Sequence, residues 1–377
     1  MKSRTPTSRA EQWASTMAGY QVLEPTAVAG GVRQAHAGDE AVRVDVALFD
    51  RVGREQAEDA WLAGGATRAD DAGDRVRAEE PDQWRTCFER DRDRILHSAA
   101  FRRLAGKTQV FIFPADHQRT RLTHALEVAQ VATAIARACR LNVALVEAVA
   151  LGHDCGHGPG GHASEDAMDA FVPGFDHAVW GADVTAAPLN LCFETLDGIR
   201  NHSWSRPSPR TPEGQVVGLA DRIAYCAHDL EDALHTGIVN PADVPELVVA
   251  ACGVRRSELL HTFISDVVST VCTTGLVGLS APVAEALAEL RAFNHERIYL
   301  RGESLEQAEA VITMLRALVE HYLTNPSALP LDLREREDPQ RSAVAYVGGM
   351  TDRFACSQAV SLLGWPEDRL PKGQYRE

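Results

Sequence analysis

From about residue 83 onward, apolar side chains return every three or four residues: Ala125, Val128, Ala132, Ile135 and Cys139 form one such run, and Leu145, Val149 and Gly152 continue the pattern. That is the period of a helix with one buried face, and strand-like alternation is scarce, so the chain reads as all-α. Helix punctuation agrees. Ser304 with Gln307 makes a capping-box signature opening a helix through Met314, Leu315, Leu318 and Tyr322 to a stop at Asn325-Pro326. Another helix is expected from about Gly214 to a glycine cap at Gly237. Upstream of both, Phe171 to Pro212 reads as turns and loops, and no heptad run or internal repeat is present.

Residues 1–82 differ: rich in Ala, Gly, Asp and Glu, with GG at 30–31 and 64–65 and a short helical pattern near 46–63, they are expected to be a partly mobile N-terminal extension. Residues 83–377 then form the helical body. No run approaches the roughly 18 apolar residues of a membrane helix, and MKSRTPTSRAEQW lacks a signal-peptide core, so a cytoplasmic location without membrane attachment is expected. The eight cysteines are scattered without a CxxC pair and are expected to be reduced. A net charge of −15 argues against nonspecific duplex binding. Residues 85–125 nevertheless carry nine Lys or Arg against four acids, which suits an anion site beside the motif described next.

Five histidines, His124, His153, His157, His162 and His177, fall within 54 residues, and HDCGHGPGGH packs three of them with one Asp and four Gly. Such glycines let backbone approach a ligand closely. His124 near the start of one helix, His153-Asp154 at the end of the next and Asp221 inside a third can converge on one ion. Two imidazoles and two carboxylates suit Mn, Fe, Mg, Co, Ni or Zn and leave coordination positions for water or a phosphate oxygen. Cys155 is read as a buried filler, because neighbouring helical residues point about 100° apart. Asp221, Tyr225 and either His228 or Asp229 share one helix face.

In order along the chain, RDRDRILHSAAFRRLAGKTQV (90–110), RTRLTHALEVAQVA (119–132), LGHDCGHGPGGHASE (151–165) and EGQVVGLADRIAYCAHDLEDAL (213–234) resemble the motifs of the deoxyguanosine triphosphate triphosphohydrolases of the HD superfamily; GGMTDRFA (348–355) is similar to that family's C-terminal segment. The resemblance is dense over residues 85–235 and thin elsewhere. It implies an HD-domain helical fold with additional C-terminal helices, and hydrolysis of dGTP or several dNTPs to deoxynucleoside and inorganic triphosphate. It also implies metal ligands His124, His153, Asp154 and Asp221, with Mn the first expectation. His162, oriented by Glu165, matches the family's proton donor to the departing O5′, an alkoxide that leaves poorly without a proton. His157 matches a phosphate-side histidine and His177 a second active-site histidine. Arg121 and Arg222 match phosphate contacts, and Gln109, Tyr225 and Asp229 surround the deoxyribose. Asp229 and Gln109 would bind the 3′ hydroxyl while Tyr225 stacks where a 2′ hydroxyl would collide. The family further implies a homo-tetramer or hexamer, with a nucleotide or single-stranded DNA as effector.

One departure stands out: Ala178 follows the histidine of GFDH where the family commonly carries Asn or Glu. Two other readings remain beside the first: a phosphatase or phosphodiesterase of the same superfamily acting on another nucleotide, and, kept open by Ala178, a nucleotide-sensing protein without turnover.

Overall fold

The computed structural model describes residues 9, 11, 44–111, 118–335 and 337–372. Phe49–Glu377 forms one compact unit, and Met1–Leu48, a separate unit, falls almost wholly outside the described residues. The expectation of mobility for residues 1–82 lies outside them for most of 1–43. Residues 49–82, by contrast, pack into the helical body, so the boundary expected at 82 falls inside the compact unit. A first helix, α1 (Arg51–Trp61), starts on an Asp50 cap, and Thr67 donates its N–H and hydroxyl to Glu213. Arg75 reaches Asp91 at 2.6 Å, and Asp91 also accepts from the Cys192 N–H and the Thr195 hydroxyl. This segment is held by buried polar contacts more than by apolar ones, which is why its composition gave no sign of them. Arg75→Ala strands a fully buried carboxylate, and losing one partner of such a pair costs about 3–5 kcal/mol. A fall of several degrees in the calorimetric melting temperature is expected; an unshifted transition would refute the anchoring role.

The body is all-helical, with no strand among the described residues and only two isolated bridges, Arg75 with Cys192 and Thr108 with Thr120. After α2 (Cys87–His97) and the short α3 (Ala99–Arg103) come α4 (Arg121–Cys139) and α5 (Val143–Gly152); α6 (Ala163–Asp169), α7 (His177–Trp180) and α8 (Phe193–Asn201) lead to the long α9 (Pro212–His235). Thr86 caps α2 in a capping box with Glu89, Asn142 caps α5, and Thr211 followed by Pro212 opens α9. The remainder comprises α10 (Glu246–Cys252), α11 (Arg256–Thr274), α12 (Ala281–Asn294), α13 (Gly302–Thr324), α14 (Leu331–Arg334), α15 (Pro339–Gly348) and α16 (Asp352–Leu363).

Two sequence expectations need correction. The stretch 171–212, read as loops, holds α7, α8 and a π-helical turn at Gly181–Thr185, because its prolines sit at element boundaries. Helix α13 begins at Gly302 and not at Ser304: Ser304 lies inside the first turn and its hydroxyl bonds back to the Ile298 carbonyl. The core has two parts. Val128, Val131, Ala132 and Ile135 of α4 meet Leu145, Val146 and Val149 of α5 and Val217, Ala220 and Ile223 of α9. A second cluster joins Met168 and Trp180 to Leu315 and Leu318 of α13 and Val344 and Val347 of α15.

Candidate functional site

A cavity of about 490 Å³ is walled by Thr108–Val110, the N-terminal turn of α4, the loop after α5, the middle of α9 and the start of α13. Eleven of the thirteen residues singled out from the sequence line it, so the helices do bring them to one place; His153 and Glu165 stand outside the lining but bond or approach residues within it.

Ligand atoms of His124, His153 and Asp221 lie within 4.8 Å of one another, and those of His153, Asp154 and His202 do likewise. The chemistry of His153 decides whether this set fits a metal. Its Nδ1–H donates to the Ala150 carbonyl at 2.7 Å, which leaves the Nε2 lone pair directed at the carboxylates of Asp154 (3.5 Å) and Asp221 (3.7 Å). That nitrogen is buried and has no hydrogen-bond partner. A fixed tautomer with a bare lone pair facing two carboxylates is the arrangement of a histidine ligand, and the residues fit a divalent ion. Burial opposes the charge on Asp154, but Arg121 at 2.7 Å, with His153 and His157, overrides it and holds the carboxyl well below its ordinary range. Asp221 is likewise held low against its burial by His124, 3.0 Å away, and His153.

Beside this group lies a second one, His157, His162, Glu165 and His177. Glu165 accepts from His162 Nδ1 at 2.6 Å, and its other oxygen is 3.2 Å from His177 Nδ1. Burial works against the Glu165 carboxylate, yet these two imidazoles keep it ionised far below the usual range. His162 is 76% exposed at the cavity mouth, leaving Nε2 free to meet a ligand. His177 is buried, but Glu165 raises its affinity for a proton, while burial pushes His202 down to about 4. A protonated His177 can thus donate across the 3.3 Å to His202 Nε2. His157, stacked on His177 at 3.7 Å, is kept neutral by burial and by Arg121.

The expected anion and sugar contacts divide. Arg121 is 1% exposed and spends one nitrogen on Asp154, leaving Nε and Nη2 buried without partners. Arg222 stacks 3.6 Å over the Trp204 ring with its Nε also unpartnered. Both are cations with donors to spare. Gln109 keeps an unpartnered Oε1, and the Tyr225 hydroxyl accepts from Arg291 at 3.2 Å. Asp229 differs from expectation: one oxygen accepts from Arg119 and the other from the Tyr299 hydroxyl, so a sugar hydroxyl would reach it only as a further donor. Ala178 is fully buried and its N–H caps onto Asp176.

Sequence reasoning missed His202, Trp204, Tyr299 and the Arg291–His295 wall. His202 and Trp204 lie in the stretch read as loop. Tyr299, on a π-helical turn at His295–Tyr299, is 70 residues from its partner Asp229, with no local pattern to mark it. Two glycines of HDCGHGPGGH stand where backbone approaches other parts of the protein closely. A Cβ on Gly156 would sit 2.0 Å from the His177 carbonyl, and Gly161, at φ 66°, would place one 2.9 Å from Arg121 Nη2.

The HD domain matches residues 121–226, and the Phosphohydrolase-associated domain matches 277–360. A deoxyguanosinetriphosphate triphosphohydrolase-like protein of Caldanaerobacter subterraneus is 39% identical over 86% of this chain and 96% of its own length. One from Clostridium perfringens is 40% identical over 77% and 90% respectively. A solved structure of a hypothetical protein from Aquifex aeolicus aligns with TM-score 0.48 and 17% identity, covering 74% of this chain and 69% of that one. With its helical fold, its His/Asp cluster fit for a divalent metal and relatives matched over most of their length, the chain belongs to the HD-domain phosphohydrolases of the deoxyguanosinetriphosphate triphosphohydrolase-like family.

Proposed function

We propose that the chain hydrolyses a deoxynucleoside triphosphate, dGTP or several dNTPs, to deoxynucleoside and inorganic triphosphate. The observation that carries the reading is the His162–Glu165 pair, 2.6 Å apart, opening onto the same cavity as the His/Asp cluster and the unpartnered nitrogens of Arg121. A divalent ion held by His124, His153, Asp154 and Asp221, with Mn the first to test, would supply Lewis acidity there. Arg121 and Arg222 bind the triphosphate and offset charge gathering on its oxygens, with His157 on the phosphate side. Water attacks the α-phosphorus as the P–O5′ bond breaks, and the proton it sheds passes to solvent, which reprotonates His162 after the leaving group departs. His162 passes its Nε2 proton to O5′, and Glu165 holds the Nδ1–H through the transfer. His177, sharing Glu165, fixes that carboxylate from the other side. Gln109, Tyr225 and Asp229 border the sugar. A cytoplasmic location, assembly into tetramers or hexamers, and a nucleotide or single-stranded DNA effector belong to the same reading.

The test is incubation of the Mn-loaded protein with each of the four dNTPs and GTP, resolving products by ion-pair chromatography. Deoxynucleoside with intact triphosphate is the expected result. Orthophosphate in its place would turn the reading toward a phosphatase, and binding without turnover toward a nucleotide sensor.

A further inference from the structure

Asp352, the first residue of α16, lies far along the chain from every residue so far placed at the site, yet it is 6% exposed and bonded to two of the cavity's walls. Its Oδ2 accepts from the Thr108 N–H at 2.8 Å and from the Thr108 hydroxyl at 2.6 Å, and its Oδ1 accepts from the Gly160 N–H at 2.9 Å. Thr108 precedes Gln109 and bridges to Thr120, the residue before Arg121. Gly160, at φ 74°, lies two residues before His162. One carboxylate thus ties the strap carrying Gln109 to the glycine loop carrying His162.

The neighbouring contacts reinforce the tie. Lys107, 3% exposed, donates its ammonium protons to the His157 carbonyl and, at 2.9 Å, to the Gly348 carbonyl, joining the same loop to the end of α15. Gly106 packs so tightly on Thr351 that a Cβ there would lie 2.9 Å away. The segment Gly348–Asp352 therefore grips the loop at His157 and at Gly160, upstream of His162. A buried carboxylate costs more desolvation than an apolar side chain of equal size, and three converging donors give it the directionality an apolar contact lacks.

We propose that Asp352 is a positioning residue of this site: acting through Thr108 and Gly160, it fixes the loop that presents His162 to the ligand. The inference rests on the reading of His162 as the proton donor. It gives the C-terminal, phosphohydrolase-associated region a share in turnover without any contact to the reacting atoms. A displacement of about 1 Å in a catalytic group can cost on the order of 10²-fold in rate, so the loss of one such bond should be visible in kcat.

The experiment is a double-variant cycle in the full-length protein with Mn and dGTP, comparing Asp352→Asn, His162→Ala and the pair. The amide that Asp352→Asn introduces cannot accept from both N–H groups and the hydroxyl. This variant is expected to lower kcat by about 10-fold or more while KM stays within about 3-fold. In the His162→Ala background the same change should alter kcat by less than about 2-fold, since the placement of an absent imidazole no longer matters. Amide exchange in peptides covering 158–164 should accelerate in Asp352→Asn, a readout independent of turnover. Equal losses in both backgrounds, or unchanged exchange, would overturn the proposal by reducing Asp352 to a structural contact. If Asp352→Asn does not fold, Thr108→Val, which deletes only the hydroxyl donor, enters the same cycle with the same criteria. Should His162→Ala alone leave kcat intact, the proton-donor reading falls and the positioning role with it, an outcome told apart by that single variant.

Discussion

Replacing His153 with alanine is expected to abolish most turnover on dGTP, by roughly 10³-fold or more, since a bound metal contributes several kcal/mol to the transition state of phosphoryl chemistry and each 1.4 kcal/mol is tenfold. Two further readouts separate this from simple damage to the fold. Wild-type protein dialysed against a chelator should lose activity, regain it with Mn, and melt at a higher temperature with the ion than without it, because a ligand that binds only the folded state stabilises by mass action. His153→Ala should lose that increment and retain less metal after gel filtration. The substitution removes the Nε2 lone pair that the Nδ1–H bond to the Ala150 carbonyl leaves bare. A variant that binds Mn as well as the parent would remove His153 from the ligand set.

His162→Ala should lower kcat by about 10²- to 10⁴-fold while leaving dGTP affinity within a few-fold, the range for losing a positioned general acid. Affinity is spared because Arg121, Arg222, His124, Asp154 and Asp221 lie elsewhere on the cavity wall. Glu165→Gln should show a smaller loss: the imidazole stays in place but its charged form loses the carboxylate 2.6 Å away. Stopped-quench measurement of deoxynucleoside release distinguishes these expectations from an affinity effect. Near-normal turnover in His162→Ala would remove it from the chemistry, leaving His177, which shares the same carboxylate, as the next imidazole to test.

The helical class was legible because the period of apolar residues on α4 and α5 is the signature of a buried helix face, and these two helices with α9 form the heart of the core. The candidate metal cluster could be anticipated from placement: His124, His153-Asp154 and Asp221 sit at a helix start, a helix end and a helix middle, and α4, α5 and α9 pack together. What could not be read depended on pairings distant in sequence. Tyr299 and Arg119 occupy both oxygens of Asp229 from 70 and 110 residues away, and His202 joins the cluster from a stretch whose prolines disguised two helices. Short helices between prolines bury little apolar surface, so the hydrophobic period that marks longer ones is missing there. The glycines carried a true signal of close approach, but what they approach, the His177 carbonyl and the Arg121 guanidinium, is a matter of tertiary packing.

Glu213 stands at the first turn of α9, fully buried, where the helix dipole favours an anion, and its carboxylate accepts from the N–H groups of Thr67 and Asn142 and from the Thr67 hydroxyl. Eight residues, or about 12 Å, further along the same helix sits Asp221, followed by Arg222, Tyr225 and Asp229. A helix is stiff over that distance, so a grip at one end dictates the azimuth at which side chains emerge at the other. The stretch around Thr67, which lies outside the cavity lining, works as an index pin for the α9 wall that lines it. A chain shortened to begin at residue 83 would keep every cavity residue and still lose the setting that aims four of them inward.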